Sequence, residues 1–222
     1  MFEVYPTNPE LREVSKYTVG TKIAYLRSSF KKIEEVFRQE YDSLLREAKI
    51  EDERTKDHED DSQYNYWAWD SLREIEFIYL RMHRYSAVLA AYSFLESSMN
   101  KICTMLEKKH GFQVSVGDLS GDGITRCRLY LNKFAKIDFD LISSDWSSLV
   151  VLNKIRNCIV HCDGNAELFK NSEGFIKIIE SRRDLSFIEK KMVMVSEEFI
   201  YKSINSVENT LIYLVESSKL PK

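Results

Sequence analysis

Apolar residues recur every three or four positions over most of the chain, which is the spacing of amphipathic helices. A first helix is predicted from about Thr21 to Ala48, with Ile33 in its buried stripe and Glu34 outside it. A longer helical segment runs from about Tyr66 to His110 and ends at Gly111. A straight helix of that length would span roughly 60 Å, so the segment is expected to kink or to project.

The helical pattern continues through the second half of the chain. A short helix is predicted from about Ile124 to Ala135. The next helix buries apolar residues between Trp146 and Ile159, with Asp145 as its cap, and ends at Gly164 because glycine adopts the left-handed conformation easily. Ser196 is the expected N-cap of the last helix. The pattern predicts an all-α fold, an up-and-down helical bundle forming a single domain over residues 1–222.

Two segments interrupt this pattern. Residues 50–64 carry seven acidic side chains against Arg54 and Lys56, which is typical of a solvated connection, although an acidic flap competing with RNA is an alternative. Residues 175–179 and 191–195 are rich in residues that favour strands. They predict a small β-hairpin, inserted over residues 174–195 before the C-terminal helix.

Composition limits the possible functions. Seven glycines and three prolines in 222 residues leave few tight turns for an all-β fold, and 44% hydrophobic content can fill a core. No apolar run approaches the roughly 20 residues of a membrane-spanning helix. The four cysteines are scattered and no secretory leader is recognisable, which favours a reduced, cytoplasmic protein.

The net charge of −3 provides no general attraction to nucleic acid, so RNA binding requires a local basic face. The short helix is expected to expose Arg126, Arg128, Lys133 and Lys136, and Lys154 adds a cation on the following helix. These residues are candidate RNA contacts, although a few cations on a short helix are also common by chance.

The most distinctive stretch is Arg156-Asn157-Cys158-Ile159-Val160-His161, near the end of a predicted helix. Asn157 and His161 are four residues apart and project from one helical face. Arg156 and His161 are five apart, which separates them by about 140° around an ideal helix. They can grip one small group only if the helix end unwinds or a second copy of the motif faces the first.

These residue types suit phosphodiester chemistry. An imidazole exchanges protons near neutral pH, so His161 can act as a general acid or base. The guanidinium of Arg156 is suited to phosphate oxygens and to transition-state charge. A structural role is the alternative, with Arg156 paired to Glu96 or Asp163 and His161 closing the helix C-terminus.

A zinc site is a weaker interpretation of the same stretch. Cys158, His161 and Cys162 are rich in ligand atoms, but structural zinc needs four converging ligands and no Cys-x-x-Cys pair accompanies them. Packing of Cys158 in the core explains the cysteine better. No metal and no cofactor are predicted.

The motif resembles the R-x4-6-H motif of HEPN domains, and Ile155 to His161 (IRNCIVH) is close to its commonest form. The resemblance covers most of the chain: the helix around Tyr92 to Ser98 resembles the family's second helix, and the C-terminal helix resembles its last. The long acidic linker and the hairpin depart from the simplest members of the family.

The resemblance implies a metal-independent endoribonuclease that cleaves RNA at a homodimer cleft through Arg156, Asn157 and His161, with Glu96 orienting the arginine or the histidine. Glu96 could equally extend to solvent. The resemblance further implies a toxin or anti-phage effector with an antitoxin or regulatory protein as partner. The alternative is a non-catalytic HEPN dimer that binds RNA or nucleotides or acts as a scaffold.

Overall fold

The computed structural model describes residues 14–55 and 69–218, and it confirms the all-α fold with one small antiparallel hairpin before the final helix. No helix in these two ranges is long and apolar enough to cross a membrane. The helices are α1 (Lys16–Thr55), α2 (Leu80–His110), α3 (Gly123–Lys133), α4 (Ser143–Cys162), α5 (Ser172–Glu180) and α6 (Glu197–Ser217), and the strands are β1 (Leu185–Ile188) and β2 (Met192–Val195).

The chain divides into two compact units, each built from separate segments. The first unit contains the start of α1 up to Leu26, residues 89–156, and the C-terminal segment from Tyr201. The second unit contains residues 27–88 and 157–200, as far as they are described. The single-domain assignment for residues 1–222 stays a prediction.

The core of the first unit is formed by apolar side chains at helical spacing. α2, α4 and α6 bury successive leucines and other apolar residues because each presents one apolar stripe. These residues are at most 1% exposed: Leu95, Met99, Ile102, Leu106, Leu149, Leu152, Leu211 and Leu214.

In the second unit, α1 differs from the predicted amphipathic helix. Ile33 is 41% exposed, whereas Glu34 is only 4% exposed, so the predicted assignment of these two positions is wrong. Glu34 is buried because Arg84 donates to both of its carboxylate oxygens, at 2.8 and 2.9 Å. A buried carboxylate requires such a partner. α1 also extends to Thr55, so residues 50–55 of the predicted linker are helical and residues 56–64 lie outside the described ranges.

The second helical segment is interrupted by one wide turn. Its described part begins at Trp69, so the predicted start of the segment at Tyr66 lies outside the described ranges. A π-helical turn at Ile75–Tyr79 precedes α2. Turns of this type are a common place for a helix to bend. Whether the segment kinks or projects stays a prediction. Gly111 follows the end of α2 with φ +66°.

The hairpin lies later in the chain than predicted. Residues 175–179, expected to be a strand, belong to α5, where Phe175 and Ile179 are buried one turn apart. The strands are residues 185–188 and 192–195, with Leu185 paired to Val195. The final helix begins as predicted, since the hydroxyl of Ser196 accepts a hydrogen bond from the N–H of Phe199 at 3.1 Å.

Candidate functional site

The motif lies on the last turns of α4. The buried side of this helix consists of Trp146, Leu149, Leu152, Ile155 and Cys158, all at most 5% exposed. Val150, expected to be apolar and buried, is 37% exposed. Asp145 occupies the first turn and not the predicted cap position, because α4 begins at Ser143. The motif residues differ in burial: Arg156 and Asn157 are half-buried, and His161 is exposed.

Within the first unit, Arg156 packs against an aromatic ring. Its Cζ lies 5.2 Å from the centroid of the Tyr92 ring, and Tyr92 is only 3% exposed. A guanidinium over an aromatic face is stabilised by the ring quadrupole, most strongly where water is excluded. The ring therefore provides a rigid surface for the arginine of the motif.

Tyr92 also contacts the start of α3. A Cβ added to Gly123 would lie 2.5 Å from the Tyr92 hydroxyl oxygen and 3.0 Å from Oε1 of Glu96, so both side chains approach this glycine closely. Burial raises the pKa of Tyr92, and the charge of Glu96 acts in the same direction. The backbone of Ile124 and the charge of Arg156 oppose that rise in the pKa. Glu96 is therefore a neighbour of the ring that carries Arg156, and its predicted orienting role stays a prediction.

Within the second unit, α4 ends at Cys162, two residues before the predicted stop at Gly164, and Asp163 already adopts φ +50°. Gly164 adopts φ +79°, and its N–H donates to the carbonyl of Cys158 at 3.1 Å. The next N–H, from Asn165, donates to Cys162 at 2.8 Å. These bonds satisfy carbonyls that a helix end leaves without partners. They define the last turn, on which His161 lies.

The hairpin holds this helix end in place. The Tyr85 hydroxyl donates to the carbonyl of Val193 in β2 at 2.6 Å, and the N–H of Val193 donates to the carbonyl of Gly164 at 3.0 Å. Burial raises the pKa of Tyr85 to about 12, so it remains a hydrogen-bond donor at physiological pH. The predicted hairpin insertion thus supports the turn that carries His161.

Cys158 has a structural role. Its side chain is fully buried, and burial raises the pKa of its thiol to about 12. A thiol with such a pKa is neither a good nucleophile nor a ready metal ligand. Within residues 14–55 and 69–218, no three His, Cys, Asp or Glu side chains are grouped so that they could hold a metal ion.

The predicted basic face is only partly exposed. Lys133 and Lys136 are exposed as expected, and Lys154 is half-buried. Arg128, expected to be exposed, lies over the rings of Phe139 and Trp146, with its Cζ 5.3 and 5.0 Å from their centroids.

Arg126, the other arginine of the predicted face, has a buried Nε atom that makes no hydrogen bond. Both arginines are half-buried, because long charged side chains can cover neighbouring apolar surface. RNA contact by any of these cations stays a prediction.

Sequence reasoning missed the two tyrosines that support the motif. Tyr92 lies one helical turn before Glu96, a spacing that could have indicated a shared face. Tyr85 gave no such signal, because its partners lie on β2 and at Gly164.

The motif provides two chemical groups. One is the Arg156 guanidinium over the Tyr92 ring, and the other is the exposed imidazole of His161 on the last turn of α4. Such groups can bind a phosphate and transfer a proton. The resemblance to HEPN domains stays a prediction from the sequence motif. Comparison with protein-family models, with curated proteins and with solved structures finds no match for this chain.

Proposed function

We propose that this protein is a metal-independent endoribonuclease of the HEPN type, acting as a homodimer. The observation that carries the proposal is the arrangement of the motif on α4. Arg156 lies 5.2 Å over the Tyr92 ring, and His161 is exposed five residues later on the same helix.

In the proposed reaction the ribose 2′-hydroxyl is the nucleophile. A His161 imidazole accepts its proton as the 2′-oxygen attacks phosphorus and the bond from phosphorus to the 5′-oxygen breaks. The 5′-oxygen takes a proton from the second imidazole or from water, leaving a 2′,3′-cyclic phosphate and a 5′-hydroxyl. Arg156 stabilises the charge that develops on the non-bridging oxygens.

Two copies of the chain are needed to bring these groups together. α4 remains helical through Cys162, so the helix does not unwind between Arg156 and His161. Their separation of about 140° around the helix keeps them from gripping one phosphate within one copy. A second copy facing the first would place an arginine and a histidine around the same phosphate.

The test is cleavage of single-stranded and structured RNA in EDTA. We expect His161→Ala and Arg156→Ala each to lower the rate by at least about 100-fold, the scale of general acid–base and electrostatic contributions. His110→Ala and Arg73→Ala are matched controls, because both are exposed residues of the same types away from the motif. Cleavage that survives both motif substitutions would reject the assignment.

The half-burial of Arg156 supports a second candidate function, a non-catalytic HEPN dimer that binds RNA or nucleotides or acts as a scaffold. In that case RNA binds without being cut, and Arg156→Ala weakens binding while His161→Ala does not. A toxin or anti-phage role follows only from the first candidate function. Growth arrest on expression in bacteria, relieved by His161→Ala, would support that role.

A further inference from the structure

Part of α1 forms an antiparallel helix pair with the segment that leads into α2, all within the second unit. Phe30 stacks on His83 with 5.0 Å between ring centroids, and Phe37 stacks on Tyr79 at 6.3 Å. Residue numbers rise along one helix while they fall along the other, so the helices run in opposite directions. Because Ile33 lies between Phe30 and Phe37, and Met82 between His83 and Tyr79, these two residues lie at about the same level along the pair.

The outer side of this pair is apolar. Five side chains that would usually be buried are 41–60% exposed: Ile33, Val36, Ile78, Tyr79 and Met82. We call these five residues the apolar ridge. Single exposed apolar residues are normal, but a contiguous group of this kind typically marks an interaction surface.

The charges beside the apolar ridge indicate what covers it. Lys32 and Glu40 are exposed, and each lies about one turn from Val36, one before it and one after it. At 100° per residue they lie within about 40° of Val36 around the helix. An α1 helix packed antiparallel across Val36 from a second copy would therefore bring each Lys32 near a Glu40. Parallel packing would instead place like charges together, which is unfavourable.

We propose that the apolar ridge is the site at which a second copy of this chain docks, with two-fold symmetry and with the two α1 helices antiparallel across Val36. A two-fold contact must be complementary to itself, and the sequence of Lys32, Val36 and Glu40 has that property. The two helix pairs then form a four-helix contact whose centre is apolar and whose edges are paired charges. This surface is defined by the helix pair and does not depend on ribonuclease activity.

The first test is sedimentation of the full chain at concentrations from 1 to about 100 µM. Wild-type protein is expected at about twice 26.1 kDa, and Val36→Glu and Met82→Glu at the mass of one chain. Leu141→Glu is the matched control, because Leu141 is a 73% exposed apolar residue of the first unit. Circular dichroism checks that each variant is folded.

The second test is a charge exchange. Lys32→Glu and Glu40→Lys are each expected to weaken the dimer about tenfold, because each brings like charges together at both symmetric edges. The double variant Lys32→Glu/Glu40→Lys restores opposite charges and should dimerise within about threefold of wild type. This rescue requires a second copy, since a different partner protein would not carry the exchanged charges.

Three results would overturn the proposal: a wild-type chain that is monomeric throughout, a dimer unaffected by Val36→Glu, or a double variant no better than the single ones. If the apolar ridge binds a different protein instead, the purified wild-type chain will be monomeric at every concentration. RNA cleavage is measured separately on the same samples. A dimer without cleavage rejects only the ribonuclease, and cleavage by a monomeric variant such as Val36→Glu rejects only the shared cleft.

Discussion

The guanidinium of Arg156 lies over the ring of Tyr92, with 5.2 Å between Cζ and the ring centroid. Tyr92 is itself held, because its hydroxyl oxygen approaches Gly123 at the start of α3 so closely that a Cβ there would clash. The buried ring, only 3% exposed, offers the guanidinium a packed aromatic face. The motif's cation is therefore in contact with a residue outside the motif.

Replacing Tyr92 by leucine should release Arg156. A cation over an aromatic face contributes about 0.5–2 kcal/mol, so we expect RNA cleavage to fall by about 2- to 30-fold. Tyr92→Phe keeps the ring and should stay within about threefold of wild type. The measurement is kcat/KM at equal folded fraction, checked by circular dichroism. A phenylalanine variant as impaired as the leucine variant would show that the hydroxyl matters and not the ring.

Gly164→Ala should destabilise the protein. Gly164 has φ +79°, and an added Cβ would overlap the Tyr85 hydroxyl, which is bonded to Val193. Left-handed backbone strain costs about 1–2 kcal/mol and overpacking about 1–3 kcal/mol. Urea unfolding should show a loss within the sum of these ranges.

Gly20→Ala is the control for this substitution. Gly20 lies in α1 with nothing within 4 Å of an added Cβ, so alanine should stabilise the helix by about 0.5–1 kcal/mol. Equal effects of the two substitutions would contradict the role assigned to Gly164.

The buried Glu34–Arg84 pair should behave as a unit. Glu34→Ala leaves the Arg84 guanidinium, whose side chain is 18% exposed, without its carboxylate, and we expect a loss of about 3–5 kcal/mol in unfolding free energy. The double variant Glu34→Leu/Arg84→Met should recover most of this loss. Glu35→Ala, at an exposed neighbouring position, should change stability by less than about 0.5 kcal/mol.

Stability should fall in mildly acidic solution because of His83. Burial lowers the pKa of His83 below its ordinary value of 6.5, an effect that outweighs the charge of Glu34 and a hydrogen bond with the backbone of Phe30. The charge of Arg84 lowers the pKa further. As the pH falls, His83 therefore takes up a proton in the unfolded chain before it does so in the folded chain. The contribution of His83 to the free energy of unfolding is complete above pH 6.5 and is lost as the pH falls below that value.

Urea unfolding at a series of pH values tests this prediction. The slope due to one histidine is at most about 1.4 kcal/mol per pH unit. His83→Phe should reduce the slope between pH 5 and 6.5, whereas His110→Phe, at an exposed position, should leave it unchanged. A wild-type slope retained in the His83 variant would assign the effect to other groups.

The sequence was informative where structure depends on near neighbours. Helix periods, the serine cap at Ser196 and the glycine stop at Gly164 all follow from residues within four positions of one another. The misplaced strand at residues 175–179 shows the limit of such reasoning, because a short apolar run fits a strand or a helix equally well. Phe175 and Ile179 are instead buried one turn apart in α5. Their burial depends on packing with residues such as Phe169, whose ring centroid lies 4.4 Å from that of Phe175.

By itself the sequence determined that the chain is all-α, where α4 ends and which residue types the motif presents. Tertiary structure alone decided that Glu34 is buried, that Arg128 covers two aromatic rings and that Arg156 rests on Tyr92. The physical reason is distance along the chain. Helix propensity and capping act over one turn, whereas these three contacts join residues well beyond one turn, and the Glu34–Arg84 pair is 50 residues apart. Such partners are specified only by the folded packing.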